Sequence, residues 1–257
     1  MYTAFATVYD RLMVDVDYPA WAAFYETILS LYGIRGGKVC ECACGTGSLT
    51  IPLAQKGFQM TGVDLSEEML FEASQKARRA GAMIPFVRQD MRALRLHRQM
   101  DAVLCTCDGL NYLPVPEDVL AFFAAAWQAI RPGGALLFDV STPYKLERIL
   151  GSNFVGDETA DIAYLWKNDY HPENSSVDMQ LSIFVREKDE TYQRISEEQT
   201  QYAYSLETLE MLLRKAGFAD LRVFGDGTFA LPSPTEQRWH IAARKPLPDD
   251  DIQPELS

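Results

Sequence analysis

The segment Val39–Thr50, V-C-E-C-A-C-G-T-G-S-L-T, constrains the fold of this chain more than any other. It reads as a short apolar strand that carries an acid, breaks into a glycine-rich turn and enters a helix. That order of events builds a nucleotide-shaped pocket at the carboxyl edge of a parallel sheet. Gly45 and Gly47 lack a Cβ, so the turn can take positive φ and bring backbone against a ligand. A glycine turn alone recurs in many chains, and its downstream context decides its meaning.

That context is a series of strands that end in acids. Gln59 to Leu65 (Q-M-T-G-V-D-L) predicts a second strand ending at Asp64. Ser66 then caps a helix whose first turn carries Glu67 and Glu68, the sign that a helix N-terminus prefers. Ile84 to Asp90 predicts a third strand, Met100 to Thr106 a fourth, followed by C-D-G-L-N-Y over residues 107–112, and Ala135 to Val140 a fifth. Strands alternating with helical segments indicate parallel βαβ units. Ligands of such sheets lie outside the carboxyl ends of the strands. Glu41, Asp64, Asp90 and Asp108 are gathered there.

Two cofactor readings compete for the turn. A dinucleotide enzyme calls for G-x-G-x-x-G with an acid about 20 residues on. Asp64 suits that spacing, but Thr50 stands at the third glycine position. The other reading is S-adenosylmethionine (SAM), whose sulfonium and ammonium suit an acidic pocket where a pyrophosphate does not. E-C-A-C-G-T-G resembles the first motif of the class I SAM-dependent methyltransferases. V-D-L-S-E-E-M-L resembles the second, Q-D-M-R-A-L the third, and L-R-P-G-G-A-L-L-F-D the entry to the fifth strand. The resemblance runs from about Tyr9 to Lys245, and Ala43 departs from it where the family usually has glycine. It implies a seven-stranded Rossmann-like sheet of order 3-2-1-4-5-7-6, with helices on both faces and an inserted antiparallel β cap. The nearest look is to uncharacterised bacterial small-molecule methyltransferases, related to glycine/sarcosine and sugar N-methyltransferases.

The resemblance also implies roles. Asp64 accepts from the ribose hydroxyls, with Leu65 and Met69 beside it. Asp90 accepts from the adenine amino group, flanked by Gln89 and Met91. Ala43, Cys44, Gly45, Thr46 and Gly47 line the methionine part, Glu41 meets its amino group, and Cys107 borders the cofactor. Tyr9 folds over it. Asp108, Asn111 and Tyr112 stand where the methyl group emerges and position the acceptor, which is a small molecule methylated on N or O. The alternative is a SAM-binding partner module or a protein methyltransferase. A monomer or homodimer is expected.

Composition narrows the classes. The net charge of −12 argues against a nucleic-acid backbone as partner, because phosphate binding relies on Lys and Arg. The residues after the fourth strand are not the N/D-P-P-Y/F of enzymes that methylate base amines. The start M-Y-T-A-F-A-T-V-Y-D-R has no basic region leading an apolar core, so a cytoplasmic location is expected. No apolar run has the length of a membrane span. Cys40, Cys42, Cys44, Cys105 and Cys107 do not have zinc spacing and read as small buried hydrophobes, with no metal expected. Of the three histidines, His97 reads as solvated, His240 as structural, and His171 as the one candidate base.

Two further modules are expected. Residues 1–36 carry an aromatic helical stripe, read mostly as packing and, around Tyr9, as a lid. Residues 146–203 read as an antiparallel substrate cap with strands at Asp161–Tyr170, Val177–Glu187 and Thr191–Tyr202. In the cap Tyr164, Trp166 and Tyr170 either wall a pocket or pack on the core. The cofactor core then comprises residues 37–145 and 204–246, closing with a helix over Ser205–Ala216 and strands at Leu221–Gly225 and Arg238–Arg244. Residues 247–257 form an acidic tail expected to be disordered.

Overall fold

A computed structural model describes residues 3–248. The expectation of disorder for the acidic tail falls almost wholly on residues 249–257, outside the described residues.

The core sheet has seven strands: β1 (Gly37–Cys42), β2 (Phe58–Asp64), β3 (Phe86–Arg88), β4 (Met100–Cys105), β5 (Ile130–Ser141), β10 (Ala219–Phe224) and β11 (Arg238–Arg244). Between β5 and β10 lie β6 (Phe154–Glu158), β7 (Ile162–His171), β8 (Ser176–Arg186) and β9 (Tyr192–Tyr202), which form a separate antiparallel sheet in that order. The core order is β3-β2-β1-β4-β5-β11-β10, which is the expected 3-2-1-4-5-7-6 once the inserted strands are left out of the count. β1 to β5 run parallel and β11 antiparallel to β5.

Central parallel strands are covered on both faces and therefore read as continuous apolar runs. Alternation along β1 shows the two layers. Cys40 and Cys42 join Phe122, Phe123 and Leu209 on one face, under helices α5 (Pro116–Ala129) and α6 (Leu206–Lys215). Val39 joins Tyr25, Ile28 and Leu29 on the other, under α2 (Tyr18–Leu31). Asp17 caps α2 by accepting from the Ala20 amide at 2.9 Å. Ser66 caps α4 (Glu67–Arg79) by accepting from Met69 N at 3.1 Å, as the sequence predicts. The short α3 (Thr50–Gln55) follows the glycine turn.

Residues 3–36 do not behave as one segment. α2 is fixed in the core, whereas α1 (Thr3–Leu12) lies between the two sheets. Its Phe5, Ala6 and Val8 pack on Ile162, Ile183 and Ile195 of the inserted sheet and on Met69 of α4.

The inserted sheet has one strand more than the sequence predicts. β6 is exposed along its whole length, so it carries no alternation to read. Trp166 and Tyr170 pack with Leu146, Val177 and Met179, and Tyr164 packs against the α1 cluster. These three aromatic residues take the packing role.

Candidate active site

In β1–β2 and β1–β4 the register sets Cys42 opposite both Val63 and Cys105, so the carboxyl ends of three strands finish level. A cavity of about 830 Å³ opens above them, bounded by the glycine turn, the start of α4, the turns after β3 and β4, α1 and β9.

The glycine turn brings Ala43, Cys44, Gly45 and Thr46 to this cavity, with Gly47 behind them and not on its lining. Ala43 has φ 52°, a left-handed conformation that costs an alanine about 1 kcal/mol or more relative to glycine. Its Cβ lies where only a glycine fits opposite: a Cβ on Gly109 would come within 2.9 Å of it. Gly47, at φ 73°, packs so closely that a Cβ there would meet Phe86 and Ala73 at 3.2 Å. Gly47 thus packs closely under the turn.

Besides Glu67 and Glu68 of α4, three acids at or just past the strand ends line the cavity. Asp64 accepts from Gly45 N at 2.8 Å and Ser66 N at 2.9 Å, which ties the second strand to the turn. Burial pushes its carboxyl up, against the pull of those amides. Glu41 is buried and accepts from Thr50 Oγ1 and from Thr106 Oγ1, the latter at 2.7 Å. Burial pushes it up to about 7. Asp90 is clasped by the Arg92 guanidinium, Nη2 to Oδ2 at 2.6 Å, which holds its carboxyl below the usual range. Leu65, Met69, Gln89 and Met91 line the wall between Asp64 and Asp90.

Residues 107–112 divide sharply. Cys107 and Asp108 are both left-handed, at φ 54° and 61°. Their amides donate to Asp139 of β5 at 2.8 and 3.1 Å, which holds the turn in this conformation. Cys107 and Tyr112 border the cavity, but Asp108 and Asn111 do not. The Asp108 carboxylate is committed to Arg238, with Lys145 at 3.8 Å. Burial would push it up, but those two cations outweigh burial and hold it low. Arg238 also binds Asp139 and stacks over Trp21 at 5.1 Å, and Tyr25 donates to Asp139 at 2.9 Å. The Asn111 amide donates to Ser141 O at 3.0 Å and Tyr202 O at 2.9 Å, while its Oδ1 accepts from Ser141 N at 2.9 Å. Asn111 is a staple between β5 and the end of β9. Asp108 and Asn111, expected to position the acceptor, have every polar side-chain atom bonded within the fold.

Several residues at the cavity were missed in the sequence. Tyr18 looked like part of the packing stripe, yet it lines the cavity. Its hydroxyl is buried and meets no partner with hydrogen-bonding geometry, although Ser48 lies near it. From β9 come Glu198, Gln199, Thr200 and Tyr202. Gln199 Oε1 accepts from the Tyr112 hydroxyl at 2.8 Å. Tyr9 lines the cavity, and burial raises its phenol. Beside it, Asp10 accepts from Thr46 Oγ1 at 2.6 Å and Ser48 Oγ at 3.1 Å and pairs with Lys76, so α1 is latched to the glycine turn. Only the fold joins residue 10 to residues 46, 48 and 76.

His171 pairs with Asp178 at 3.0 Å within the inserted sheet and does not reach the cavity. His240 is buried, 3.0 Å from the Tyr25 hydroxyl. The thiols of Cys44, Cys105 and Cys107 are pushed up by burial, which disfavours the thiolate. Among the described residues no group of three His, Cys, Asp or Glu side chains is placed to hold a metal, and no helix is long and apolar enough to cross a membrane.

Residues 39–134 match the family described as a methyltransferase domain. Over 246 residues the chain is 37% identical to YqeM of Bacillus subtilis (strain 168), a protein named as a methyltransferase with no acceptor in its name; the match covers 95% of this chain and 97% of YqeM. It is 28% identical over 206 residues to the glycine/sarcosine N-methyltransferase of Aphanothece halophytica, covering 79% of this chain and 73% of that one. Among solved structures, a S-adenosylmethionine-dependent methyltransferase from Clostridium acetobutylicum ATCC 824 superposes with a TM-score of 0.87 at 31% identity, over 95% of this chain and 99% of that one. The sugar N-methyltransferase KedS8 from Streptoalloteichus sp ATCC 53650 shares the fold at 19% identity, with a TM-score of 0.76 and 93% of each chain covered.

Proposed function

The chain belongs to the class I SAM-dependent methyltransferases, and from that premise we propose that it methylates a small molecule held between the core sheet and the inserted sheet. The observation that carries the proposal is the cavity itself: α1 and β9 border it above the strand ends, and its volume of about 830 Å³ is of small-molecule size.

The side chains fit the cofactor chemically. Asp64 would hold the ribose hydroxyls, since a carboxylate offers acceptors to both. Asp90, with Gln89 and Met91, would meet the adenine. Glu41 and the turn from Ala43 to Thr46 would face the methionine part, where an added Cβ on Gly45 meets nothing within 4 Å. Tyr18 would give its unpartnered hydroxyl to the ligand, and Cys107 would border it. The bound cofactor supplies an electrophilic methyl group, and the protein supplies orientation, worth roughly 7–11 kcal/mol of the barrier. Tyr9, Tyr112 and β9 exclude water and direct the acceptor. Residues 37–145 and 204–246 act as the cofactor core, 146–203 as the substrate cap and α1 as the lid. The KedS8 likeness supports a small acceptor methylated on N. The same reading gives a cytoplasmic monomer or homodimer without a nucleic-acid partner, and the net charge of −12 supports the last point.

The test is formation of S-adenosylhomocysteine from SAM when the protein is given the small-molecule or the macromolecular fraction of a bacterial lysate. Turnover with the small-molecule fraction is expected. Turnover with protein alone would contradict the proposal.

A further inference from the structure

The distribution of charge in the cavity goes one step further and rests on the small-molecule reading. Only two described cations border the cavity, Arg88 and Arg92, and both stand at the β3 end. Each is already occupied, Arg88 by Glu67 at 2.7 Å and Arg92 by Asp90 and Asp118. The cap end is different. Its described residues include the tyrosines Tyr9, Tyr18, Tyr112 and Tyr202, the exposed Glu198, and Thr200, whose hydroxyl is given to Asp178 at 2.7 Å, with no Lys, Arg or His. The cations behind this wall are taken as well: Arg238 and Lys145 face Asp108 and Asp139, and Lys76, bonded to Thr46 and Ser48 of the lining, pairs with Asp10.

An anionic acceptor entering here would give up hydration and meet no counter-charge. It would also approach against the acids of the cavity. A cation meets the reverse: a carboxylate at the entrance and ring faces beyond it, the surroundings that favour ammonium groups. We propose that the methyl acceptor is an amine on a scaffold bearing no carboxylate or phosphate, recognised by Glu198 and the tyrosine faces of the cap end. The amine reacts through its neutral form. Its nitrogen forms the new N–C bond, and the S–C bond breaks with its electron pair left on sulfur. The proton displaced from nitrogen passes to water at the mouth, beside Glu198.

The experiment supplies the full-length protein with SAM carrying a tritiated methyl group and the small-molecule ultrafiltrate of a bacterial lysate. Labelled products are first separated chromatographically from unreacted SAM, itself a cation, with a protein-free control, and are then sorted on ion exchangers at neutral pH. Retention of the label on the cation exchanger is the expected result. Label retained on the anion exchanger, or passing both as neutral or zwitterionic product, would overturn the amine inference and leave the small-molecule reading standing. Label in protein alone, or none despite measurable S-adenosylhomocysteine binding, would overturn that reading itself. Glu198→Lys should lower the labelled cation yield at least about tenfold, with calorimetric S-adenosylhomocysteine affinity held within about twofold. An unchanged yield would remove Glu198 from the account.

Discussion

At the core end of the cavity the polar groups are strand-end carboxylates and the amides of a glycine turn, held by hydrogen bonds between neighbouring strands. At the cap end they are side chains from an edge strand and from a helix lying between the two sheets. The first arrangement follows from chain order, because consecutive βα units must finish at one edge. The second depends on how an inserted sheet docks, which chain order does not fix. The two ends therefore ought to respond differently to mutation: the core end through cofactor affinity, the cap end through acceptor use.

The most disruptive way to break this division is at its joint. Asn111→Ala leaves the Ser141 amide and the carbonyls of Ser141 and Tyr202 without their partner in a buried place. At about 1–3 kcal/mol for each orphaned group, some relieved by water, the loss of unfolding free energy should be about 3–5 kcal/mol. Denaturant titration measures it, and a loss under about 1 kcal/mol would show that this side chain does not join the sheets.

Glu41 sharpens the core end through pH. Its carboxyl stands at about 7 in the folded protein because burial disfavours the charge. A raised carboxyl stabilises the fold while protonated, so its contribution is complete below about pH 4.5 and is lost as pH rises through about 7. The size is about 3 kcal/mol at most. A cationic ligand beside Glu41 reverses the preference and draws the proton off. SAM binding near pH 6.5 should then release protons, seen as a calorimetric enthalpy that depends on the buffer's ionisation heat. Glu41→Gln should abolish that dependence, and equal enthalpies in all buffers for the parent protein would separate Glu41 from the ligand.

A smaller effect is expected at the cap end. Tyr112→Phe removes one hydrogen bond to Gln199. Acceptor kcat/KM should fall about five- to tenfold, corresponding to about 1 kcal/mol. A change confined to the KM for SAM would place Tyr112 at the wrong end.

The least consequence is expected at the latch of α1. Lys76 and Asp10 are partly exposed, and such pairs are worth about 0.2–1 kcal/mol. Lys76→Ala should speed hydrogen exchange in residues 3–12 several-fold and leave the core unchanged. Equal exchange would mean that the apolar contacts of Phe5, Ala6 and Val8 hold α1 by themselves.

Legibility follows the same division. The strands and the acids at their ends were readable because each signal is local: an apolar run, then an acid, then a turn residue. The order of the strands came from the family resemblance, since pairing is not a local signal. The segment 107–112 shows where locality fails. Its position in chain order pointed to the acceptor, but Asp108 and Asn111 face Arg238 and β9, partners about 130 and 91 residues away. Ala43 departs from glycine without relocating the turn, because Gly109 yields the space its Cβ needs. β6 left no trace, having no buried face. Tyr18 and β9 entered the site through docking alone, and the aromatic residues of β7 stayed out of it for the same reason.

Calorimetric titration of S-adenosylhomocysteine into the parent protein, Asp64→Ala and Tyr112→Phe tests the division most directly. Removing the carboxylate that meets the ribose should weaken binding ten- to a hundredfold, at about 1.5–3 kcal/mol for a charge-assisted bond. Tyr112→Phe should bind within about twofold of the parent. Unchanged affinity in folded Asp64→Ala, or a loss in Tyr112→Phe as large as the one at Asp64, would contradict a cofactor site built by the strand ends and an acceptor site built by the cap.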